Sequence, residues 1–274
     1  MVERIKNSTK NKGTSAINVN GELTCQLETG ENMLDDLKEK VCESNIELFK
    51  KGIVTYTWGN ASGIDRSTGS VVIKPSGVDY DCLTPEDMVV VNLQTGKAID
   101  GKLRPSSDTD THLELYRCFP GIGGVVHTHS PNAVSFAQAG IPIRVLGTTH
   151  ADYFYGDIPC TRELTENEVN REYELNTGKV IVETVTNNGK DPMDVPGILV
   201  KNHGPFTWGK SSKEAVFNAA VLESIADMAL KTIILNRDAQ VGQYIIDKHY
   251  FRKHGSKSYY GQILDDSTKK KIQR

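Results

Sequence analysis

Apolar residues recur along this chain with two different periods, and the places where the period changes mark its elements. Leu34, Leu37, Val41, Leu48 and Phe49 lie close to the helical repeat with charges between them, and Gly52 follows as a cap. This predicts a first amphipathic helix. Ile64 to Lys74 predicts a hairpin, with Asp65-Arg66-Ser67-Thr68-Gly69 as turn chemistry and Val71-Val72-Ile73 as a buried strand. Thr84-Pro85-Glu86-Asp87 starts a short helix, because it sets a capping threonine before a proline and two acids. Met88 to Val91 is a strand and Gln94-Thr95-Gly96 the next turn. Leu113 and Tyr116 give Asp108 to Cys118 a helical period. A short apolar run, Gly124-Val125-Val126, ends in His127. Ser130-Pro131 then caps a helix over Asn132 to Ala139, which Gly140 stops. Lys179 to Thr186 is strand-like, and Ile198-Leu199-Val200 is a second buried run. Ser212 to Asn236 is the longest helix, with Ala215, Ala219, Leu222, Ile225, Ala226, Ala229 and Ile233 in one stripe. Interleaved strands and helices predict a layered α/β or α+β domain with its site at strand ends.

Residues 1–32 are polar and show neither period, so they are expected to be a mobile extension. The domain proper is expected over residues 33–262, followed by a basic tail, 263–274, that holds Lys269-Lys270-Lys271. With 274 residues and 38% hydrophobic content the chain can bury one large core, and no Pro/Gly/Ser-rich linker interrupts it. Net charge is −3, with basic residues spread along the chain. That argues against nucleic acid or a membrane surface as partner. Cys25, Cys42, Cys82, Cys118 and Cys160 are odd in number and far apart, as free thiols of a reducing cytoplasm would be. No apolar stretch approaches the roughly 18 residues of a membrane span, and no signal-peptide core opens the chain. A cytoplasmic location is expected.

The chemistry concentrates in histidines. His127 and His129, one residue apart at the end of a strand, share a face and can reach one metal ion. The second run ends Lys201-Asn202-His203-Gly204 and supplies a third. Three imidazoles with a position left open is how a catalytic zinc is commonly held. His112, four residues after Asp108, is either a partner behind such a site or a solvated helix position, and the solvated position is the expectation. His150 lies in a polar loop, Gly147 to Asp152, of the kind that supplies site residues. Ser106-Ser107-Asp108 at a helix start suits either a phosphate or a plain N-cap. Thr57-Trp58-Gly59-Asn60 and Lys74-Pro75-Ser76-Gly77 each combine a glycine with polar donors. Neither is a nucleotide-binding loop, so a small phosphorylated molecule is the expected ligand. From pattern alone Asp152 and the Tyr259-Tyr260 pair are acid/base candidates without further support.

In chain order, Thr57-Trp58-Gly59-Asn60, Lys74-Pro75-Ser76-Gly77-Val78, Ser106-Ser107-Asp108, Gly124-Val125-Val126-His127-Thr128-His129-Ser130, Thr149-His150-Ala151-Asp152-Tyr153-Phe154-Tyr155-Gly156 and His203-Gly204-Pro205-Phe206 closely resemble the class II, metal-dependent sugar-phosphate aldolase family. The resemblance runs from about Met33 to Gln262. Thr148 to Gly156 and the ending Asp247 to Gly255 are similar to the family's pentulose-phosphate 4-epimerases. It implies an α/β, single-domain layered fold with a central, mainly antiparallel β-sheet flanked by helices. It implies Zn2+ on His127, His129 and His203, with Asp108 as a fourth, weaker ligand where the family's aldolases tend to have Glu. Gly59, Asn60, Lys74, Ser76, Gly77, Ser106 and Ser107 would bind the phosphate end of a small phosphorylated pentulose. Asp152 and Tyr260 match the acid/base pair, the tyrosine coming from a neighbouring subunit. A homotetramer with the site at a subunit boundary follows from that.

The activity so implied is interconversion of L-ribulose 5-phosphate and D-xylulose 5-phosphate by C3–C4 cleavage and re-addition, as in L-arabinose breakdown. Two rivals stand beside it. One is a fuculose or rhamnulose 1-phosphate type aldolase that releases its products. The other is a non-catalytic module like the adducin head, which has no need of the three histidines present here.

Overall fold

The computed structural model describes residues 15–17, 23–25, 30–189, 191–254 and 258–259. The chain divides into two compact units, Met1–Asp36 and Leu37–Arg274. In the first, β1 (Ser15–Ile17) and β2 (Leu23–Cys25) pair antiparallel with Ser15 opposite Cys25. These strands lie inside the segment that shows no period in the sequence, because three residues are too few to display one.

The elements that follow are α1 (Gly30–Lys50), the hairpin β3 (Asn60–Asp65) and β4 (Ser70–Ile73), β5 (Val89–Asn92) and β6 (Ala98–Asp100). Then come α2 (Thr109–Cys118), β7 (Gly124–His127), α3 (Pro131–Ala139), α4 (Thr148–Ala151), α5 (Glu166–Asn170) and α6 (Tyr173–Asn187). The chain closes with β8 (Gly197–Val200), β9 (Gly204–Gly209), α7 (Ser212–Leu235) and α8 (Gln243–Lys253). Pro85–Asp87 is a single 3-10 turn in which both Thr84 N–H and Thr84 Oγ1 donate to Asp87 Oδ2 at 2.9 Å. This is the capped start expected there.

The second unit is built on a seven-stranded sheet of order β6-β5-β4-β3-β7-β9-β8, antiparallel at every pairing. The expected α/β architecture of a central antiparallel sheet flanked by helices is what forms. Alternation sorts the side chains onto two faces. Val71, Ile73, Val125, Phe206 and Trp208 pack with Leu113 and Tyr116 of α2 and Ile181 and Val185 of α6. On the other face Ala61 and Val126 meet Leu48 of α1 and Ala215 and Val216 of α7. His127 shares the α2 face with Val125, which directs its ring toward the start of α2.

Two local expectations are corrected. Lys179 to Thr186 is helical, the second half of α6. Thr177, Gly178, Val180, Ile181 and Val185 are its buried residues, a helical stripe lying on α2, and this packing overrides the strand preference of the β-branched run. Thr148–Ala151 is one helical turn where a loop is expected, closed by Ala151 N–H to Gly147 O at 3.2 Å and Asp152 N–H to Thr148 O at 2.9 Å.

Candidate metal centre and phosphate-side cavity

Strand register builds the centre. His127 stands opposite Asn60 of β3 on one side and opposite Phe206 of β9 on the other. Its ring stacks on Phe206 with centroids 4.3 Å apart. His129 follows where the strand has ended, and His203 sits in the tight β8–β9 turn after Asn202, whose φ of 63° is a left-handed value that asparagine tolerates. One ring nitrogen of each of His127, His129 and His203 lies within 4.8 Å of the others, and the Nε2 atoms of His127 and His129 are 3.1 Å apart. His127 Nδ1 donates to Pro205 O at 3.0 Å, so its Nε2 lone pair is the one presented to the cluster.

Burial pushes the His203 imidazole down to about 3, reinforced by His127, and also lowers His129. Neutral imidazoles are the form that binds a metal. Burial works against ionisation of Asp108, yet the imidazoles of His127 and His112 and the Asn60 amide more than offset it, and its carboxyl lies below its ordinary value. Asn60 Nδ2 donates to Asp108 Oδ2 at 2.6 Å and to Ser106 Oγ at 3.0 Å. Three imidazole nitrogens beside a half-buried carboxylate are a donor set that fits a divalent cation.

A cavity of about 570 Å3 opens beside this cluster. Gly59, Asn60, Lys74, Ser76, Gly77, Ser106, Ser107, Asp108, His129 and His203 all line it, with His127 buried behind. Backbone bonds join its two polar loops: Ser106 N–H to Lys74 O at 3.0 Å and Ser76 N–H to Arg104 O at 2.9 Å. Gly59 needs its hydrogen side chain, since a Cβ there would lie 2.7 Å from His127 O at a φ of 80°. Lys74 is almost fully buried, with Nζ donating to Val78 O at 2.6 Å and lying 4.7 Å from the Tyr80 ring centroid. Burial pushes its ammonium down to about 8, against the opposing pull of Asp79.

Tyr173 and Glu174 also line the cavity, and Tyr173 Oη lies 3.4 Å from His203 Nδ1. The sequence pattern points to neither. They open α6, and taking its second half for a strand hides the first turn that aims them inward.

The remaining candidates lie elsewhere. Asp152 is not among the lining residues. It accepts from His249 Nδ1 (3.0 Å), Arg252 Nε (3.1 Å) and Arg252 Nη2 (2.9 Å) of α8, and Lys253 Nζ lies 3.3 Å from it. Thus the residue that ends α4 and the helix α8 meet at the Asp152 carboxylate. Tyr260 lies outside the described residues. His150 is buried, donates Nε2–H to Gly156 O at 2.9 Å and does not line the cavity. His112 is fully buried in contact with Ser62, so the solvated position expected for it is wrong. The four cysteines whose side chains are described are free thiols. Among the described residues no helix is long and apolar enough to cross a membrane.

The family model for the class II aldolase and adducin N-terminal domain matches residues 39–230, more than half of the chain, and the chain belongs to that family. Class II aldolases are metal-dependent sugar-phosphate enzymes. A solved L-fuculose 1-phosphate aldolase is similar with a TM-score of 0.67 at 21% identity, over 79% of this chain and 95% of that one. The L-fuculose 1-phosphate aldolase of Glaciozyma antarctica gives 0.68 at 17% identity, over 85% and 87%. That of Thermus thermophilus gives 0.56 at 25% identity, over 75% and 98%. At these identities the likeness concerns the fold.

Proposed function

We propose that the chain is an L-ribulose-5-phosphate 4-epimerase that interconverts L-ribulose 5-phosphate and D-xylulose 5-phosphate. The observation carrying this reading is that one cavity is lined by two of the three clustered histidines, His129 and His203, and by the seven residues of the phosphate end. Zn2+ is the proposed cation, held by His127, His129 and His203 with Asp108 beside it, in a domain spanning residues 33–262 of a cytoplasmic homotetramer.

The hydrogen on C4 of the substrate is not acidic, so inversion there proceeds by breaking the C3–C4 bond and remaking it. The bound cation would supply Lewis-acid polarisation of the ketone and its neighbouring oxygen. Lys74, Ser76, Ser106 and Ser107, with the backbone at Gly59 and Gly77, hold the phosphate and keep glycolaldehyde phosphate from leaving. Its carbonyl turns over within that grip and presents the opposite face to the three-carbon fragment. One of Asp152 and Tyr260 takes the C4 hydroxyl proton as the bond breaks, and the other protonates the new alkoxide. Inversion requires two such groups on opposite sides, and the family resemblance is what assigns the tyrosine to a neighbouring subunit.

The second reading is an aldolase that releases both fragments, and the L-fuculose 1-phosphate aldolases of like fold favour it. The convergence of three imidazoles speaks against a non-catalytic adducin-like module. Incubating the zinc-loaded protein with L-ribulose 5-phosphate separates them. D-xylulose 5-phosphate with only traces of free glycolaldehyde phosphate is the expected result. Released aldehyde without the epimer would make it an aldolase, and neither product together with no bound zinc would leave the module.

A further inference from the structure

Tyr173 is the first residue of α6, half-buried and in the wall of the cavity. The start of this helix is fixed from several sides. Thr177 Oγ1 donates to Tyr173 O at 2.8 Å, Asn176 N–H to Glu172 O at 2.8 Å and Asn176 Nδ2 to Glu168 O of α5 at 2.9 Å. From α2, Thr111 Oγ1 donates to Glu174 O at 2.6 Å. One turn on, a Cβ at Gly178 would lie 2.7 Å from the Glu114 side chain, so α6 approaches α2 as closely as a glycine allows. The helix that begins at Asp108 therefore holds the first turn of α6 beside it, and Tyr173 arrives at the edge of the histidine cluster.

There its Oη lies 3.4 Å from His203 Nδ1, with the two ring centroids 6.1 Å apart. The β8–β9 turn holds the His203 backbone, through its N–H to Val200 O at 3.0 Å, and leaves the ring to its neighbours. A neutral imidazole carries one proton. When one nitrogen faces a cation the proton belongs on the other, and the group at Nδ1 is an oxygen able to accept it. Pro205 O does the same for His127, whose Nδ1 lies 3.0 Å from it. A phenylalanine would close the cavity wall equally well, and the hydroxyl is the part of Tyr173 that meets His203 Nδ1.

We propose that Tyr173 is a positioning residue of the metal centre: its phenolic oxygen accepts the Nδ1–H of His203, which sets the tautomer and plane of that ring and leaves Nε2 for the cation. The inference rests on the reading of the three histidines as a metal centre. It gives the third histidine an outer partner from α6, as the sheet gives one to the first. Partners of this kind set the affinity of a metal centre by fixing its ligands in place. At 3.4 Å the contact is long for a hydrogen bond, so a modest share of that affinity is expected from it.

The test is a titration of metal-free protein with Co2+, followed by the visible absorption of the ion, with thermal melting as a check on folding. Tyr173→Phe keeps the ring and removes the hydroxyl. It is expected to melt near the wild-type temperature and to bind Co2+ about 10-fold more weakly, the lower end of the effect of such partners. Thr177→Ala loosens the same turn of α6 but keeps the hydroxyl, and it is expected to bind Co2+ as the wild type does. Wild-type affinity in Tyr173→Phe, or an equal loss in Thr177→Ala, would overturn the assignment. The tautomer is read in the unmutated protein, from the NMR shifts of the ring nitrogens in zinc-loaded, histidine-labelled samples, with the His203 ring assigned by correlation to its backbone. A proton on Nδ1 is expected, and a proton on Nε2 would overturn the proposal even if Tyr173→Phe did not fold. A wild-type protein that takes up no Co2+ would overturn the metal centre itself and this inference with it, an outcome seen before any variant is made.

Discussion

The Nδ1–H of His127 is given to the carbonyl oxygen of Pro205, 3.0 Å away on the neighbouring strand. A proline carbonyl at that register position fixes the tautomer of the ring from β9, and the pairing of His127 with Phe206 fixes its plane. The nitrogen that faces His129 and His203 is thereby prepared before any ion arrives.

Replacing His127 with Asn separates these two roles. The amide can still donate to Pro205 O, so the fold should survive, but no atom remains in the place of Nε2. The variant is expected to melt near the wild-type temperature, to hold no zinc by elemental determination and to lose turnover. An active, metal-free His127→Asn protein would sink the metal centre.

Asp152 should behave differently, because its carboxylate is held by side chains of α8 and not by the histidine cluster. Asp152→Asn is expected to retain zinc and to slow turnover by about 10²–10⁴-fold, the usual worth of a general acid or base. Unchanged turnover would remove it from the acid/base pair. Burial opposes ionisation of Asp152, but Arg252, His249 and Lys253 outweigh it and hold the carboxyl below its ordinary 3.8. A lowered native value contributes stability above the unfolded value, and that stability is lost as pH falls through the native one. The wild type should therefore lose Tm below about pH 4 more steeply than Asp152→Asn, as thermal melts across that range would show.

Lys74 gives a signal at the opposite end of the pH scale. Burial pushes its ammonium from 10.5 down to about 8, with Asp79 pulling the other way and the Tyr80 ring beneath it. The folded state therefore favours the neutral amine, and stability should rise as pH climbs from about 8 toward 10.5. Phosphate binding needs the charged form, so KM for the phosphorylated substrate should rise above about pH 8 while kcat does not follow. In Lys74→Met that step should vanish and KM should be higher throughout, by roughly 1.5–3 kcal/mol of lost charged hydrogen bonding. A KM step that persists in the variant would assign the titration to another group.

Gly124 opens β7 opposite Gly63 on one side and Gly209 on the other. A Cβ at Gly124 would lie 2.3 Å from the backbone of Ser211 and Ser212, where α7 begins on the sheet. Backbone cannot step aside as a side chain can, so Gly124→Ala is expected to cost about 3 kcal/mol of stability, the upper range for overpacking. Urea unfolding would measure it, and a loss below about 1 kcal/mol, the lower end of that range, would mean that α7 shifts freely. Because β7 carries His127, the variant should also bind zinc less tightly.

Much of this protein is legible from its residue order, and for a local reason. Strand β7, the hairpin at Asp65 to Gly69, the proline-led starts of the Pro85 turn and α3 and the stripe of α7 are written in residues a few positions apart. His127 and His129 converge as expected, but not by alternation along one strand, because β7 ends at His127 and the chain beyond it carries His129 back to the same place. What the order could not settle depends on groups far away along the chain. Lys179 to Thr186 is helical because α2, far earlier in the chain, offers it an apolar wall. His112 is a core residue because Ser62, 50 positions before it, takes one of its ring nitrogens. Tyr173 reaches His203 across 30 residues, and Asp152 meets Arg252 across 100. Whether a polar side chain is solvated or buried is decided by its partner, and only the folded chain brings that partner near. The sequence by itself therefore determined the elements whose pattern is local and the ligand-bearing strand ends, whereas tertiary packing decided the 179–186 segment and which polar groups those ends would face.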